Sequence, residues 1–385
     1  MHKFVRSLLT EWRKLGLPFS DETFVVAVSG GADSVSLALA LNALKKLEKL
    51  DLRFVIAHFN HDLRGEENDK DERFIRSFAK NFGFELACGK ILNPKSRIEN
   101  QTGNLEQNAR LARYDFLRET AENLHAYGIL TAHTLNDQAE TFLLNLIRGS
   151  GLEGLGGIKT TRVFDLQIQD SDNEDLPLKS EIQNPKSKIL LVRPLLKWAR
   201  REVTENFCRE SQIEFRSDSM NENLAFRRVR IRKVLLPLLE DFNPKIVETL
   251  AKTANLLQED FSQVENSANI AAKNLQSNEP NSENVLNLKE FKDLFPSMRR
   301  QILREWLKNR RGGLQKLDSK HLEAIENLIQ GRKSGRTIEL PDGETVIKRQ
   351  GKLFFEKTKV EKSRTENYNQ GLDFTKGENA IENND

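Results

Sequence analysis

Short apolar runs alternate with longer amphipathic stretches between residues 24 and 148. Four of the runs predict strands: 24–28, 54–58, 84–88 and 128–132. The stretches between them place apolar residues three and four positions apart, as helices do: 33–50, 68–82, 104–127 and 136–148. Apolar strands separated by helices long enough to cross over predict a parallel sheet covered on both faces, and therefore an α/β fold.

The rest of the chain predicts further elements around this sheet. An amphipathic helix precedes it, a polar insertion at 165–188 is expected to be flexible, and the apolar run 189–196 resumes a strand. Helical spacing from about residue 225 is followed by three short strand-like runs, 337–340, 344–349 and 352–357. We predict a catalytic domain over 1–225, a smaller α+β domain over 230–358 and a disordered tail over 359–385.

The 385 residues carry 60 Lys and Arg against 57 Asp and Glu, a formal net charge of +3. This balance excludes a histone-like polycation but not a nucleic-acid partner. The segments 165–182 and 361–385 carry net charges of −5 and −3, so the rest of the chain carries +11. Two distant cysteines and the lack of an apolar segment long enough to span a membrane predict a cytoplasmic protein without a membrane partner.

The first candidate site is SGGADS, residues 29–34, between the first predicted strand and the next helix. Gly30 and Gly31 let backbone amides approach an anion, and the helix N-terminus adds unpaired N–H groups. The lysine of a Walker loop is missing. Phosphate is the ligand that these residues favour, and a tight turn without a ligand is the alternative.

The second candidate, HFNHDLRG (58–65), follows the second strand, where a parallel sheet binds its ligands. Its two histidines suit a nucleotide contact, a hydrogen-bonded loop or half of a metal site, the last being the weakest interpretation. In the third, GNLEQNARLARYDFL (103–117), Glu106, Arg110, Arg113 and Tyr114 share a helical face. A solvated, salt-bridged helix is the alternative there.

The fourth candidate begins at AHTLNDQAET, where Asp137 and Glu140 follow His133 at helical spacing. Two carboxylates on one helical turn are able to bind magnesium, act as a base or receive an amine, whereas a capped helix with a solvated face is the structural alternative. Five basic residues within 227–233, and eight within 297–320, suit contacts to an RNA backbone, although solvated helix surface would look the same.

These four motifs in this order are similar to those of the tRNA(Ile)-lysidine synthetases, PP-loop enzymes that split ATP into AMP and pyrophosphate. The resemblance covers about residues 1–358 and implies a fold like that of the adenine nucleotide α-hydrolases. The longer members carry a further C-terminal domain, and we expect this chain to be a short form without it.

The resemblance implies a role for each matching residue. The ATP contacts would be Ser29, Gly30, Gly31, Ala32, Asp33, Ser34, His58, Asn60, His61, Arg110 and His133. Asp33 would also hold Mg²⁺, Arg113 would face the reacting base, and Asp137 and Glu140 would orient lysine; these four form the expected catalytic set. The expected tRNA contacts are Arg148, Arg227, Arg228, Arg230, Arg232 and Lys233.

The implied reaction joins free L-lysine to the wobble cytidine of an isoleucine tRNA with a CAU anticodon, through an adenylated intermediate. The first alternative is another PP-loop enzyme such as a 2-thiocytidine-type thiolase, which the unpaired positions of Cys88 and Cys208 disfavour. The second is an RNA-binding module without activity. The sequence leaves the oligomeric state open, with a homodimer as one candidate.

Overall fold

The computed structural model describes residues 1–60, 66–90, 105–164, 189–216, 223–275, 285–289, 291–314, 316–331 and 335–357. The predicted insertion, the predicted tail and His61 lie outside these ranges. The chain forms two compact units, Met1–Ser267 and Ala268–Asp385. Each unit has its own hydrophobic core.

The first unit contains a six-stranded sheet and the helices that cover it. Its strands are β1 (Ser20–Ala27), β2 (Asp51–Asn60), β3 (Glu85–Lys90), β4 (Gly128–Leu130), β5 (Thr161–Val163) and β6 (Leu190–Val192). Its first helices are α1 (Lys3–Lys14), α2 (Ala32–Lys46), α3 (Glu66–Phe82), α4 (Leu105–Asn123), α5 (Leu135–Arg148) and α6 (Leu152–Leu155). The four predicted strands are β1 to β4, and the predicted parallel α/β fold is confirmed.

The strand order is β3-β2-β1-β4-β6-β5, and every pair is parallel except β5 with β6. From β1 the chain builds the sheet outward through β2 and β3, and then returns to the other side of β1 to place β4. The carboxyl ends of β1 and β4 therefore flank a topological switch point, the position at which such sheets bind ligands.

The core explains why these segments fold as they do. The central strand β1 buries Phe24, Val25 and Val26 completely, because helices cover both faces of the sheet. Helix α1 turns its apolar stripe toward that core, and Trp12 is fully buried with its indole N–H donating to the carbonyl of Pro18 at 2.9 Å. The predicted amphipathic first helix is thus confirmed.

The first unit extends beyond the predicted end at residue 225. After α7 (Arg201–Glu210) it continues through α8 (Arg227–Arg230), a π-helical turn (Ile231–Leu235), α9 (Leu236–Phe242) and α10 (Ile246–Leu275), which runs past residue 267. These helices join the first unit because Leu236, Val247 and Ala251 pack against Leu135 and Ala139 of α5.

In its described residues, the second unit combines the end of α10 and two further helices with a small antiparallel sheet. Its elements are β7 (Val285–Asn287), α11 (Pro296–Arg311), α12 (Ser319–Gln330), β8 (Thr337–Leu340), β9 (Glu344–Arg349) and β10 (Lys352–Lys357). The order is β7-β10-β9-β8. The last three strands match the predicted runs residue for residue, whereas β7, only three residues long, was not predicted. Among the described residues, no helix combines the length and apolar character needed to cross a membrane.

Candidate active site

A cavity of about 550 Å³ opens at the carboxyl ends of β1, β2 and β4. Its walls come from the loop after β1, the ends of the three strands, and helices α4 and α7. This volume is within the range of small-molecule sites. The cavity therefore lies at the switch point that the sheet topology designates.

The loop 29–34 forms one wall and is shaped to receive an anion. Gly30 has φ +97°, a backbone conformation that residues with a side chain rarely adopt. Ser34 donates its hydroxyl to the carbonyl of Gly31 at 3.0 Å and accepts the backbone N–H of Ser29 at 3.2 Å. Helix α2 begins at Ala32, so its unpaired N–H groups belong to this loop. This arrangement of backbone N–H groups suits an anion such as phosphate.

Asp33 is the charged residue of this loop. The hydroxyl of Thr204 donates to its carboxylate, and the guanidinium of Arg201 lies 3.7 Å away. Burial, with a further contribution from the nearby charge of Asp137, raises the pKa of Asp33 from 3.8 to about 6. The negative charge of Asp33 is therefore incompletely compensated.

Asp137 faces the cavity from the start of α5. One carboxylate oxygen accepts the backbone N–H of Thr134 at 2.8 Å, and the other lies 3.6 Å from the guanidinium of Arg201. Burial opposes ionisation of Asp137, but the charges of Arg201, His133 and Arg228 and the bond from Thr134 outweigh it and lower the pKa of this carboxyl. Asp137 is consequently a carboxylate at neutral pH.

Arg201, which the sequence did not identify, connects the carboxylates of the site. It lies 3.6 to 3.7 Å from Asp33, Asp137 and Glu140, and these three negative charges raise its pKa although burial opposes them. Its position is fixed because it is the first residue of α7, and its backbone N–H donates to the side chain of Asn136 at 2.9 Å. The start of α7 is thereby held against the start of α5.

Glu140 lies behind the cavity and does not line it. Its side chain is 0% exposed, and it accepts hydrogen bonds from Arg232 at 2.6 and 2.9 Å and from Arg228 at 3.2 Å. The predicted pair of carboxylates on one helical turn is therefore divided in space. Asp137 faces the cavity, whereas Glu140 is enclosed by guanidinium groups.

Three of the other predicted ATP contacts line the cavity. The ring of His58 is buried, and because a carbonyl only accepts, its Nδ1–H donates to Val28 at 2.9 Å. Asn60 donates to Glu72 at 3.2 Å, and His133 lies 3.0 Å from the hydroxyl of Thr131. These bonds fix the orientation of the polar groups at the strand ends.

Helix α4 contributes one of its two predicted arginines to the cavity. Arg113 lines the cavity next to Tyr114, and its guanidinium lies 5.3 Å from the centre of the Tyr114 ring. Arg110 packs on the same ring at 5.6 Å but is not part of the cavity wall. Of the two arginines of α4, Arg113 is therefore the one placed to meet a substrate.

The segment 227–233 divides its basic side chains between two faces. Arg228 and Arg232, four residues apart, turn inward to Glu140. Three other basic residues of the segment are exposed, namely Arg227, Arg230 and Lys233. Arg148 is also exposed, at the end of α5. Exposure therefore agrees with the predicted RNA contacts of the outer face, whereas Arg228 and Arg232 are engaged by Glu140.

Comparison with known proteins identifies the family of this chain. A model of the PP-loop domain matches residues 3–239, and a model of the TilS substrate binding domain matches residues 286–354. A tRNA(Ile)-lysidine synthase from Synechocystis sp. is 32% identical over 328 residues, which is 85% of this chain and 89% of that protein. The chain belongs to the tRNA(Ile)-lysidine synthase family.

Other relatives in the tRNA(Ile)-lysidine synthase family are longer. The enzyme from Dehalococcoides mccartyi is 32% identical over 86% of this chain, which covers 65% of that protein. Among solved structures, the U34-tRNA thiolase NcsA from Methanococcus maripaludis, described with its 4Fe-4S cluster, matches with a TM-score of 0.52 and 16% identity. The match covers 66% of this chain and 80% of NcsA. The likeness to NcsA shows the shared fold alone.

The cysteines of this lysidine synthase family member are poorly suited to sulfur chemistry. Cys208 is buried, and burial together with the charges of Asp33 and Glu205 raises its pKa to about 12. Burial also raises the pKa of Cys88. A thiol reacts as the thiolate, so both residues are weak nucleophiles. Two cysteines are also fewer than the ligands that iron–sulfur clusters usually require.

A magnesium ion would find part of a ligand set at Asp33. Within the described ranges, no group of three or more His, Cys, Asp or Glu side chains is arranged to hold a metal by itself. Mg²⁺ usually binds one or two carboxylates together with substrate phosphates and water. A cavity carboxylate whose charge is incompletely compensated, next to a phosphate-binding loop, fits that mode.

Proposed function

We propose that this chain ligates L-lysine to C2 of the wobble cytidine of tRNA(Ile) with a CAU anticodon, forming lysidine, AMP and diphosphate. One observation supports it best: in a member of the lysidine synthase family, a single cavity joins a phosphate-binding loop to the ionised carboxylate of Asp137. We place the reaction in the cytoplasm, in the tRNA pool.

In the first half-reaction, the O2 oxygen of the cytosine attacks the α-phosphorus of ATP, and pyrophosphate leaves. The backbone amides of the loop 29–34 and the start of α2 bind the departing phosphates. Arg113 provides a guanidinium from α4 in the cavity wall, where it meets the base or the phosphate being transferred. When bound at Asp33, Mg²⁺ would neutralise negative charge on the leaving group.

In the second half-reaction, the ε-amine of lysine attacks C2 and displaces AMP. Asp137 is our candidate for holding the lysine ammonium, because its pKa is lowered and it faces the cavity. The same lowered pKa makes it a weak proton acceptor, so its main contribution is to orient the amine before that amine loses its proton. Glu140 acts from behind the cavity wall through Arg201, whose guanidinium lies 3.6 Å from its carboxylate.

The wobble cytosine of the tRNA has to leave the base stack in order to enter the cavity. Extruding a base costs a few kcal/mol, and least in a single-stranded anticodon loop. The outward face of 227–233 supplies positive charge for the RNA backbone. Such contacts position an RNA without reading its sequence.

The decisive experiment is ATP-dependent incorporation of radiolabelled lysine into a tRNA(Ile) transcript with a CAU anticodon. We expect incorporation with equal release of AMP and pyrophosphate, and loss of all three with Asp33→Ala. A transcript whose wobble base is uridine is the matched control. The proposal is wrong if the wild-type protein incorporates no lysine.

The same assay separates the two alternatives. A thiolase would release pyrophosphate and transfer sulfur without incorporating lysine. A binding module would retain the tRNA on a filter, and its pyrophosphate release would not differ between the wild type and Asp33→Ala.

A further inference from the structure

The buried charge of Glu140 needs an explanation that lysine binding does not provide. A carboxylate removed from water costs several kcal/mol unless it is paired and hydrogen-bonded. Arg232 meets both of its oxygens through a two-pronged contact at 2.6 and 2.9 Å, and Arg228 adds a bond at 3.2 Å. With Arg201 a further 3.6 Å away, the carboxylate is surrounded by three guanidinium groups.

Arg201 occupies the middle of this arrangement. It has nearly equal separations, 3.6 to 3.7 Å, from Asp33, Asp137 and Glu140, and makes a close pair with none of them. Three carboxylates and three guanidinium groups thus form one cluster with no net charge. If the charge of Glu140 were removed, Arg201 would lose the partner behind the cavity wall and would move toward Asp33 or Asp137.

We propose that Glu140 is a positioning residue. With Arg228 and Arg232, it holds the guanidinium of Arg201 between Asp33 and Asp137, and so fixes the positive charge that the cavity presents to ATP. This inference rests on the proposed function, and it replaces the expectation that Glu140 contacts lysine directly.

The partners of Glu140 come from a distant part of the chain. Arg228 and Arg232 lie on α8 and the π-helical turn, and Arg228 also donates to the hydroxyl of Thr141 at 3.3 Å. The fork of arginine matches a carboxylate in a way that lysine does not. We therefore expect Arg232→Lys, which keeps the charge, to reproduce much of the effect of removing Glu140.

The test compares Glu140→Gln, Arg232→Lys and Asp137→Asn with the wild type. For Glu140→Gln we expect ATP affinity, measured by calorimetry, and the rate of pyrophosphate release to fall about tenfold or more, as removal of one charge-assisted bond predicts. The KM for lysine should stay within about twofold of the wild-type value. Asp137→Asn should instead raise the KM for lysine. Glu122→Gln, which removes a surface carboxylate paired with Arg118, is the control.

Three outcomes decide the matter. A KM for lysine that rises with unchanged ATP affinity in Glu140→Gln would overturn the proposal in favour of direct lysine binding. If ATP affinity, the rate of pyrophosphate release and the KM for lysine all worsen equally and the melting temperature falls, Glu140 only stabilises the fold and the proposal is wrong. A double variant of Glu140 and Arg232 that is no worse than either single variant would support a shared role. The calorimetry needs no lysidine formation, so it still tests the proposal if the ligation itself is not observed.

Discussion

Replacing Asp33 with asparagine should stabilise the first unit while abolishing its activity. The folded protein holds the proton of Asp33 more tightly than the unfolded chain does, because burial and Asp137 raise its pKa from 3.8 to about 6. Such a group makes the folded state less stable as pH rises from below 3.8 to above 6, the reverse of a carboxylate in a favourable ion pair. Asparagine imitates the neutral form and removes this cost.

The magnitude follows from the two pKa values. At about pH 8 the ionised carboxylate costs roughly 3 kcal/mol, since each unit of pKa difference is worth about 1.4 kcal/mol. At about pH 4 the cost falls below about 1 kcal/mol, because Asp33 is then mostly protonated in the folded state. The side chain is 24% exposed, so solvent screening is limited. In the variant, weaker contacts to Thr204 and Arg201 would lower the free energy of unfolding by about 1 kcal/mol at both pH values and so offset part of this gain.

The assay is urea unfolding of the wild type and Asp33→Asn at both pH values in metal-free buffer. A Trp306→Phe background leaves Trp12 and Trp198, both in the first unit, as the fluorescent reporters. We expect the stability of the variant relative to the wild type to fall by about 2 to 3 kcal/mol from about pH 8 to about pH 4. A loss of stability that grows from about pH 4 to about pH 8 would show that the ionised Asp33 is favourably paired, and an equal loss at both pH values would show that its pKa is unshifted. Either result would refute the reasoning.

Three further predictions concern the cysteines and the two units. Serine at both Cys88 and Cys208 should leave the rate of lysine ligation within about twofold of the wild type, and a loss of ligation would favour sulfur chemistry. Iodoacetamide at about pH 8 should label Cys208 only after unfolding, because the pKa of this thiol is raised to about 12. Lys348→Met should destabilise the second unit by about 1.5 to 3 kcal/mol in calorimetric melting, since the ammonium donates to three carbonyls near the end of α12, whereas Lys320→Met should change little. Glutamine at the three exposed basic positions of 227–233 should lower the slope of log K for tRNA against log salt by about 0.7 to 0.9 for each phosphate that those residues neutralise, and an unchanged slope would place the RNA elsewhere.

The parts of the fold that depend on local pattern were predictable. Continuous apolar runs such as 24–28 suit a strand covered on both faces, and the glycines after this run favour a turn at the sheet edge. Because the carboxyl ends of parallel strands share an edge, the sequence also predicted that the loop 29–34, His58 and His133 would meet. Strand β7 was missed because three residues give no usable periodicity.

The spacing of residues in the sequence did not predict how deeply each site residue is buried. Positions 137 and 140 share a face of α5, yet only contacts made about 90 residues later in the chain enclose Glu140 and leave Asp137 at the cavity. In the same way, spacing does not distinguish Arg200, which pairs with Glu248 at 3.1 Å, from the residue that follows it. Of these two arginines, Arg201 is the one that lines the cavity, because α7 begins there.

The two cavity carboxylates have different chemistry because their surroundings differ. Asp137 is stabilised as an anion by the backbone of Thr134 and by Arg201, His133 and Arg228, whereas Asp33 is buried beside that anion with fewer compensating contacts. The first proton taken up by the pair therefore goes to Asp33, and a metal cation that arrives with ATP would compete with that proton. Since Asp137 stays ionised, it is able to attract the lysine ammonium. Opposite pKa shifts in neighbouring carboxylates are a common basis for such divided roles.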